Sequence, residues 1–149
     1  MRTILFIFCC CFAFQSAAQL APVKWSFEAE KVNDKEYNII FTADIDRGWS
    51  VYSQYLESKD GPIPTQFAFN PSEGLELVGK MREMGNKKES FDQLFGMKLV
   101  KFMRKAKFTQ RVKINTVATS VEGQLTYMTC NGKSCLPPEN IDFNISLRE

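Results

Sequence analysis

Five cysteines and no histidine are the reactive inventory of this 149-residue chain. Without an imidazole, Ser-His-Asp and Cys-His catalysis, histidine-ligated zinc or haem, and a histidine pH switch are excluded. Cys9, Cys10 and Cys11 are consecutive near the start, while Cys130 and Cys135 stand either side of Asn131-Gly132-Lys133-Ser134. Asn-Gly favours positive φ, so the chain can reverse there and bring the two Cβ atoms within disulfide reach. Pro137 and Pro138 stiffen the exit and fix the position of the second sulfur.

Three chemistries fit such a pair. A structural staple is the plainest, although cross-linking roughly six residues is worth only about 2 kcal/mol in the chain-entropy model, the low end for a disulfide. A redox pair asks for a tight ring that can be opened, a cation beside the thiolate and access for a partner, and Lys133 in the turn supplies the cation. Zinc would find two thiolates here and leave half its coordination to carboxylates or another chain, so no metal is expected.

The segment that decides the fate of the other cysteines is Met1 to Gln19. Arg2 is followed by an apolar run from Ile4 to Phe14 and then Gln-Ser-Ala-Ala-Gln, the pattern of a secretory leader cut near Ala18 or Gln19. The run is too short to span a bilayer core, which takes about 20 residues. Phe8 is bulky where a lipoprotein cut before Cys9 would want a small residue. The expected organisation is therefore a leader over 1–19 and one domain over 20–149. Removal of the leader takes three cysteines with it and leaves Cys130 and Cys135, in a periplasmic or otherwise exported setting where a disulfide persists.

The body that must hold this turn reads as strands. Trp25, Phe27 and Ala29 alternate onto one face, as do Tyr37, Ile39, Phe41, Ala43 and Ile45. Later Val100, Phe102, Ala106, Phe108, Val112 and Ile114 face the core, with Lys101, Lys105, Lys107, Arg111 and Lys113 opposite. Shorter strands are expected around Trp49 to Tyr55, Gln66 to Asn70, Leu75 to Met81, Gln124 to Thr129 and Ile141 to Leu147, divided by Asn, Asp, Gly and Pro turn signals. With 44% apolar residues, enough for a real core, the pattern implies an all-β, immunoglobulin-like antiparallel sandwich of seven to nine strands. The inter-sheet disulfide of antibody domains cannot form, because both cysteines lie in one local segment.

Tyr127-x-x-Cys130 followed by Cys135-x-Pro-Pro-Glu139 resembles the amino-terminal periplasmic domain of the thiol:disulfide interchange protein DsbD, an immunoglobulin-like module. Gly48-Trp49-Ser50-Val51-Tyr52-Ser53-Gln54 is similar to that family's Gly-aromatic-x-x-Tyr strand, and Asp92-Gln93-Leu94-Phe95-Gly96 to the loop that caps its site. The resemblance implies a relay of reducing equivalents, serving among other processes cytochrome c biogenesis, from a membrane-embedded thiol reductase to periplasmic thioredoxin-fold proteins. It makes Cys130 and Cys135 the redox pair, with Cys135 joined to the partner and Cys130 resolving. Phe95, or Phe91 if the register differs, would shield the disulfide, with Asp92 and Leu94 shaping the cap and Tyr52 and Tyr127 lining the site. Lys133 would modulate the thiolate, and no small-molecule cofactor is implied. The family's membrane and thioredoxin-like domains have no counterpart in this sequence, so the reductase is expected on a separate chain.

Other features have simpler readings. Seven basic and no acidic residues lie between Lys98 and Lys113, either as the solvent face of edge strands or as an electrostatic docking surface. A net charge of +2 argues against nucleic acid. Trp25, Trp49, Tyr52 and Tyr55 could form a sugar-stacking platform, but Trp25 fits strand alternation and burial. No carboxylate stands where its pKa would be raised for glycoside hydrolysis. The rival to a relay is a noncatalytic binding or assembly module with a structural Cys130–Cys135 disulfide.

Overall fold

The apolar alternation of the sequence becomes nine strands in two sheets in the computed structural model, which describes residues 20–56, 60–115 and 118–147. The expected leader, 1–19, lies outside the described residues. The strands are β1 (Val23–Asn33), β2 (Glu36–Ile45), β3 (Ser50–Tyr52), β4 (Gln66–Phe69), β5 (Leu75–Asp92), β6 (Met97–Ile114), β7 (Ser120–Tyr127), β8 (Thr129–Cys130) and β9 (Glu139–Ser146). All pair antiparallel, and the arrangement is the expected immunoglobulin-like sandwich.

In the larger sheet β6 is the spine. Along one side it pairs with β5, and along the other with β2 over Lys105–Lys113 and then with β3 at Lys101 and Phe102. Outside β2 lies β1, and outside β3 lies β8, so the second half of the sheet runs β5, β6, β3, β8. The smaller sheet is β4, β7, β9.

Two expectations about these strands are corrected. The strand expected over Leu75 to Met81 runs on to Asp92, through a polar stretch whose register shifts at Val78/Arg82 and Gly85/Lys87. These shifts break the two-residue period from which the strand would be read. The basic residues of Lys98 to Lys113 sit on the spine, not on an edge, and several are matched across strands: Lys105 with Asp44 at 3.6 Å, Arg111 with Glu36 at 3.2 Å, and Lys101 with Asp92 at 3.1 Å.

The inter-sheet core gathers Ile39, Phe41, Ala43, Val51, Phe102, Ala106, Phe108, Val112, Val121, Leu125 and Phe143, with Trp25 and Phe27 packed against them. Phe41 anchors an aromatic group, 4.6 Å from Phe67 and 4.9 Å from Phe143 between ring centroids. Removing these rings from water supplies the main driving force for closing the two sheets. Trp25 is thus partly buried against the core, on the inward face that strand alternation implies.

Candidate functional site

The two cysteines form a disulfide with Cα atoms 4.1 Å apart. Its local frame follows from the turn residues. Gly132 takes a φ of 82°, the left-handed conformation that glycine adopts without a Cβ clash. The Asn131 side chain closes the turn from within: its Oδ1 accepts hydrogen bonds from the backbone N–H groups of Lys133 at 3.0 Å and Ser134 at 2.9 Å. The backbone N–H of Asn131 donates to Ser134 O at 3.0 Å, and that of Leu136 to Thr129 O at 3.0 Å, so the return limb lies alongside β8.

β8 is in turn pinned to β3. Ser50 pairs with Cys130 and Val51 with Thr129, while Ser50 Oγ donates to Cys130 O at 3.2 Å and Thr129 Oγ1 donates to Ser50 O at 2.9 Å. Cys130 therefore sits on a rigid strand at 1% exposure, whereas Cys135, on the return limb, is half-buried. The two cysteines differ in exposure because one belongs to β8 and the other to the return limb beside it.

The disulfide lies outside the inter-sheet core. Tyr52, Leu99 and Cys130 form a second, smaller apolar cluster, and Leu56, Phe95, Met97, Met128 and Cys135 pack on it. Strand alternation explains the split, because Val51 and Phe102 point into the main core while their neighbours Tyr52 and Leu99 point to the opposite face. One sheet thus has a core on one side and the disulfide cluster on the other.

The turn between β5 and β6 closes over that face. Phe95 stands edge-on to Tyr52, with ring centroids 6.1 Å apart and planes at 85°. Phe91 is 63% exposed and Leu94 43% exposed, so of the two phenylalanines it is Phe95 that joins the cluster. Asp92 organises the turn: its Oδ1 accepts the Leu94 N–H at 3.0 Å and its backbone carbonyl accepts the Gly96 N–H at 2.8 Å. Its Oδ2 takes a hydrogen bond from Lys101 Nζ at 3.1 Å, and both side chains are largely withdrawn from water.

Tyr52 is fully buried, and its hydroxyl makes no hydrogen bond of ordinary geometry among the described residues. Burial first, and the Asp92 carboxylate second, push the phenol far above its ordinary value, so it stays protonated at any physiological pH. Tyr127, expected at the site, packs instead in the inter-sheet core, 5.4 Å from Trp25, with its hydroxyl donating to Glu139 at 2.9 Å. Lys133 is exposed in the turn. Among the described residues no group of acidic or cysteine side chains has the makings of a metal centre.

Sequence reasoning thus finds Cys130, Cys135, Asp92, Phe95 and Tyr52 in one neighbourhood and misses Leu56, Leu99, Met97, Met128 and Lys101. Lys101 is hidden because it alternates with Val100 and Phe102 like any solvent-facing lysine. Only the folding of the β5–β6 turn over its face turns that position inward. A groove of about 360 Å³ opens beside the cluster, lined by Tyr55, Leu56, Glu89 and Met97 to Val100.

A family model described as thiol:disulfide interchange protein DsbD, N-terminal, matches residues 17–147. No curated protein sequence matches the chain significantly. Among solved structures, the reduced form of the DsbD amino-terminal domain of Neisseria meningitidis superposes with a TM-score of 0.53 at 21% identity, over 80% of this chain and 83% of that one. The amino-terminal periplasmic domain of ScsB from Proteus mirabilis gives a TM-score of 0.57 at 15% identity, over 84% of this chain and 45% of that one. At these identities the two structures speak for the fold.

Proposed function

Because the chain belongs to the family of the amino-terminal domain of the thiol:disulfide interchange protein DsbD, we propose that it is an exported electron relay working through Cys130 and Cys135. The observation that carries the reading is the asymmetry of the disulfide, with Cys130 at 1% exposure and Cys135 half-buried on the outer limb of the turn. A partner thiolate approaches the sulfur it can reach.

In the reductive half-reaction, a thiolate of a membrane-embedded thiol reductase attacks Cys135 Sγ. The Cys130–Cys135 bond breaks, a mixed disulfide forms, and Cys130 leaves with the electron pair and takes up a proton. The donor's second thiolate then attacks its own sulfur in the mixed disulfide and frees Cys135. Two electrons and two protons have moved, leaving a dithiol here and a disulfide in the donor. In the oxidative half-reaction, the Cys135 thiolate attacks the disulfide of a periplasmic thioredoxin-fold protein, and Cys130 resolves the mixed disulfide. Cytochrome c biogenesis is among the processes such a relay would supply.

Lys133, exposed in the turn, favours the thiolate electrostatically as it forms. Phe95, shaped by Asp92 and Leu94 and backed by Tyr52, is the cover that keeps a reduced pair from passing oxidants. The relative from Proteus mirabilis is described as periplasmic, and the leader pattern over 1–19 fits the same compartment.

Cysteine trapping tests the reading. Expressed in its own cell, Cys130→Ala should accumulate as a mixed disulfide through Cys135 with thioredoxin-fold or membrane thiol proteins, and Cys135→Ala should not. A reduction potential for Cys130–Cys135 well below about −300 mV, the range of inert bridges, would return the disulfide to the role of a structural staple.

A further inference from the structure

The Lys101–Asp92 ion pair has a place in the fold that surface charge patterning does not explain. Asp92 is the last residue of β5, and its side chain is 3% exposed. Lys101, on the spine strand β6, has a side chain 16% exposed. In the β5–β6 register Asp92 lies opposite Met97 and Lys88 opposite Lys101, so the pair is diagonal and the lysine reaches along its own strand to meet the carboxylate. Lys101 is also the residue facing Tyr52 across β3 and β6, so its strand position abuts the floor of the disulfide cluster. Asp92 meanwhile fixes the turn that carries Phe95, through the Leu94 and Gly96 backbone N–H groups.

Taking two charges out of water costs more than a surface ion pair recovers, and apolar replacements of buried pairs are often as stable. What a buried pair does well is specify one geometry among several. Here the geometry it specifies is the position of the 93–96 turn relative to the sheet. We propose that Lys101 is a positioning residue that latches this turn shut over the Cys130–Cys135 pair by holding Asp92. The latch rests on the exchange reading for its purpose, but it can be tested without any partner.

The test is the rate at which a small alkylating reagent such as iodoacetamide modifies Cys135 in the reduced full-length chain, read by mass spectrometry. With the latch removed, Lys101→Met should alkylate roughly tenfold faster, in the middle of the range for residues coupled in one network. The sign is diagnostic. If Lys101 acted only as a cation stabilising a nearby thiolate, its loss would raise the thiol pKa and slow alkylation. Lys101→Arg, which keeps the charge and the reach, should restore a rate close to wild type, a rescue that general loosening of the fold does not give. Asp92→Asn supplies a second variant should Lys101→Met fold poorly. It should also alkylate faster, and adding Lys101→Met to it should give no further gain.

A wild-type rate in Lys101→Met, a slower one, or independent additive effects of the two substitutions would overturn the latch. Faster alkylation in Lys101→Met while Cys130→Ala traps no partner would leave the latch standing and remove the relay. Trapping with unchanged alkylation would do the reverse.

Discussion

On the proposed relay reading, the Phe95 side chain joins two needs that pull apart. A reduced dithiol outside the cytosol must be covered, and a relay must be reachable. An aromatic ring held edge-on to Tyr52 by a short turn answers both, because it buries apolar surface without being threaded into the main core. Phe95→Ala should therefore leave the sandwich folded while letting small oxidants convert the reduced pair to the disulfide several-fold faster. Stopped-flow oxidation of the reduced chain by a low-molecular-weight disulfide would measure it. An unchanged rate would assign the cover to a different side chain of the turn. The two cysteines were legible from sequence because their spacing and the Asn-Gly turn are local. Phe95 was legible only through family likeness, since nothing in its immediate neighbours distinguishes it from the other twelve phenylalanines of the chain.

The β5–β6 hairpin shows why spacing alone falls short at the scale of elements. Period-two alternation locates β1, β2, β6, β7 and β9, whose inner faces are largely apolar. It lost the second half of β5, where Arg82 to Glu89 offer little apolar material and the bulges at Gly79 and Gly85 shift the faces. A bulged, lysine-bearing outer strand resists pairing with another chain, so the protection of the sheet edge belongs to β5, while Lys98, Lys105 and Lys113 face water from the central strand β6 and Lys101 is turned inward to Asp92. Gly85 is the sensitive point. Its φ is 136°, and a Cβ there would lie 2.3 Å from the carbonyl oxygen of Lys105. Gly85→Ala should cost about 1 to 3 kcal/mol, because backbone at a sparsely populated φ and a main-chain clash cannot both be relieved by side-chain motion. Urea titration should show the midpoint fall with little change in slope. A midpoint within error of wild type would mean that the hairpin relaxes at this bulge.

For the molecule as a whole, the telling feature is that two apolar clusters share one sheet. The large core between the sheets holds the fold, and the small cluster on the outer face holds the disulfide, so redox change at Cys130 and Cys135 need not repack the interior. Each cluster buries one tyrosine whose phenol is pushed above its ordinary value of 10.0: Tyr52 by burial and then by Asp92, Tyr127 by burial and then by its hydrogen bond to Glu139. A raised phenol pKa means that the folded chain keeps protons the unfolded chain has lost. The stability these groups contribute is complete below about pH 10 and is lost as pH rises beyond it, at up to about 1.4 kcal/mol per phenol per pH unit. The double variant Tyr52→Phe with Tyr127→Phe should therefore show a shallower loss of stability between pH 10 and 11 than wild type, although lysine deprotonation erodes both alike. At pH 7 the single variants should differ. Tyr127→Phe gives up a hydrogen bond to a carboxylate and should lose about 1 kcal/mol, whereas Tyr52→Phe removes a hydroxyl with no ordinary hydrogen bond and should be near neutral. Equal losses at pH 7 would show that the Tyr52 hydroxyl does hold a partner, with the Asp92 carboxylate the first to examine.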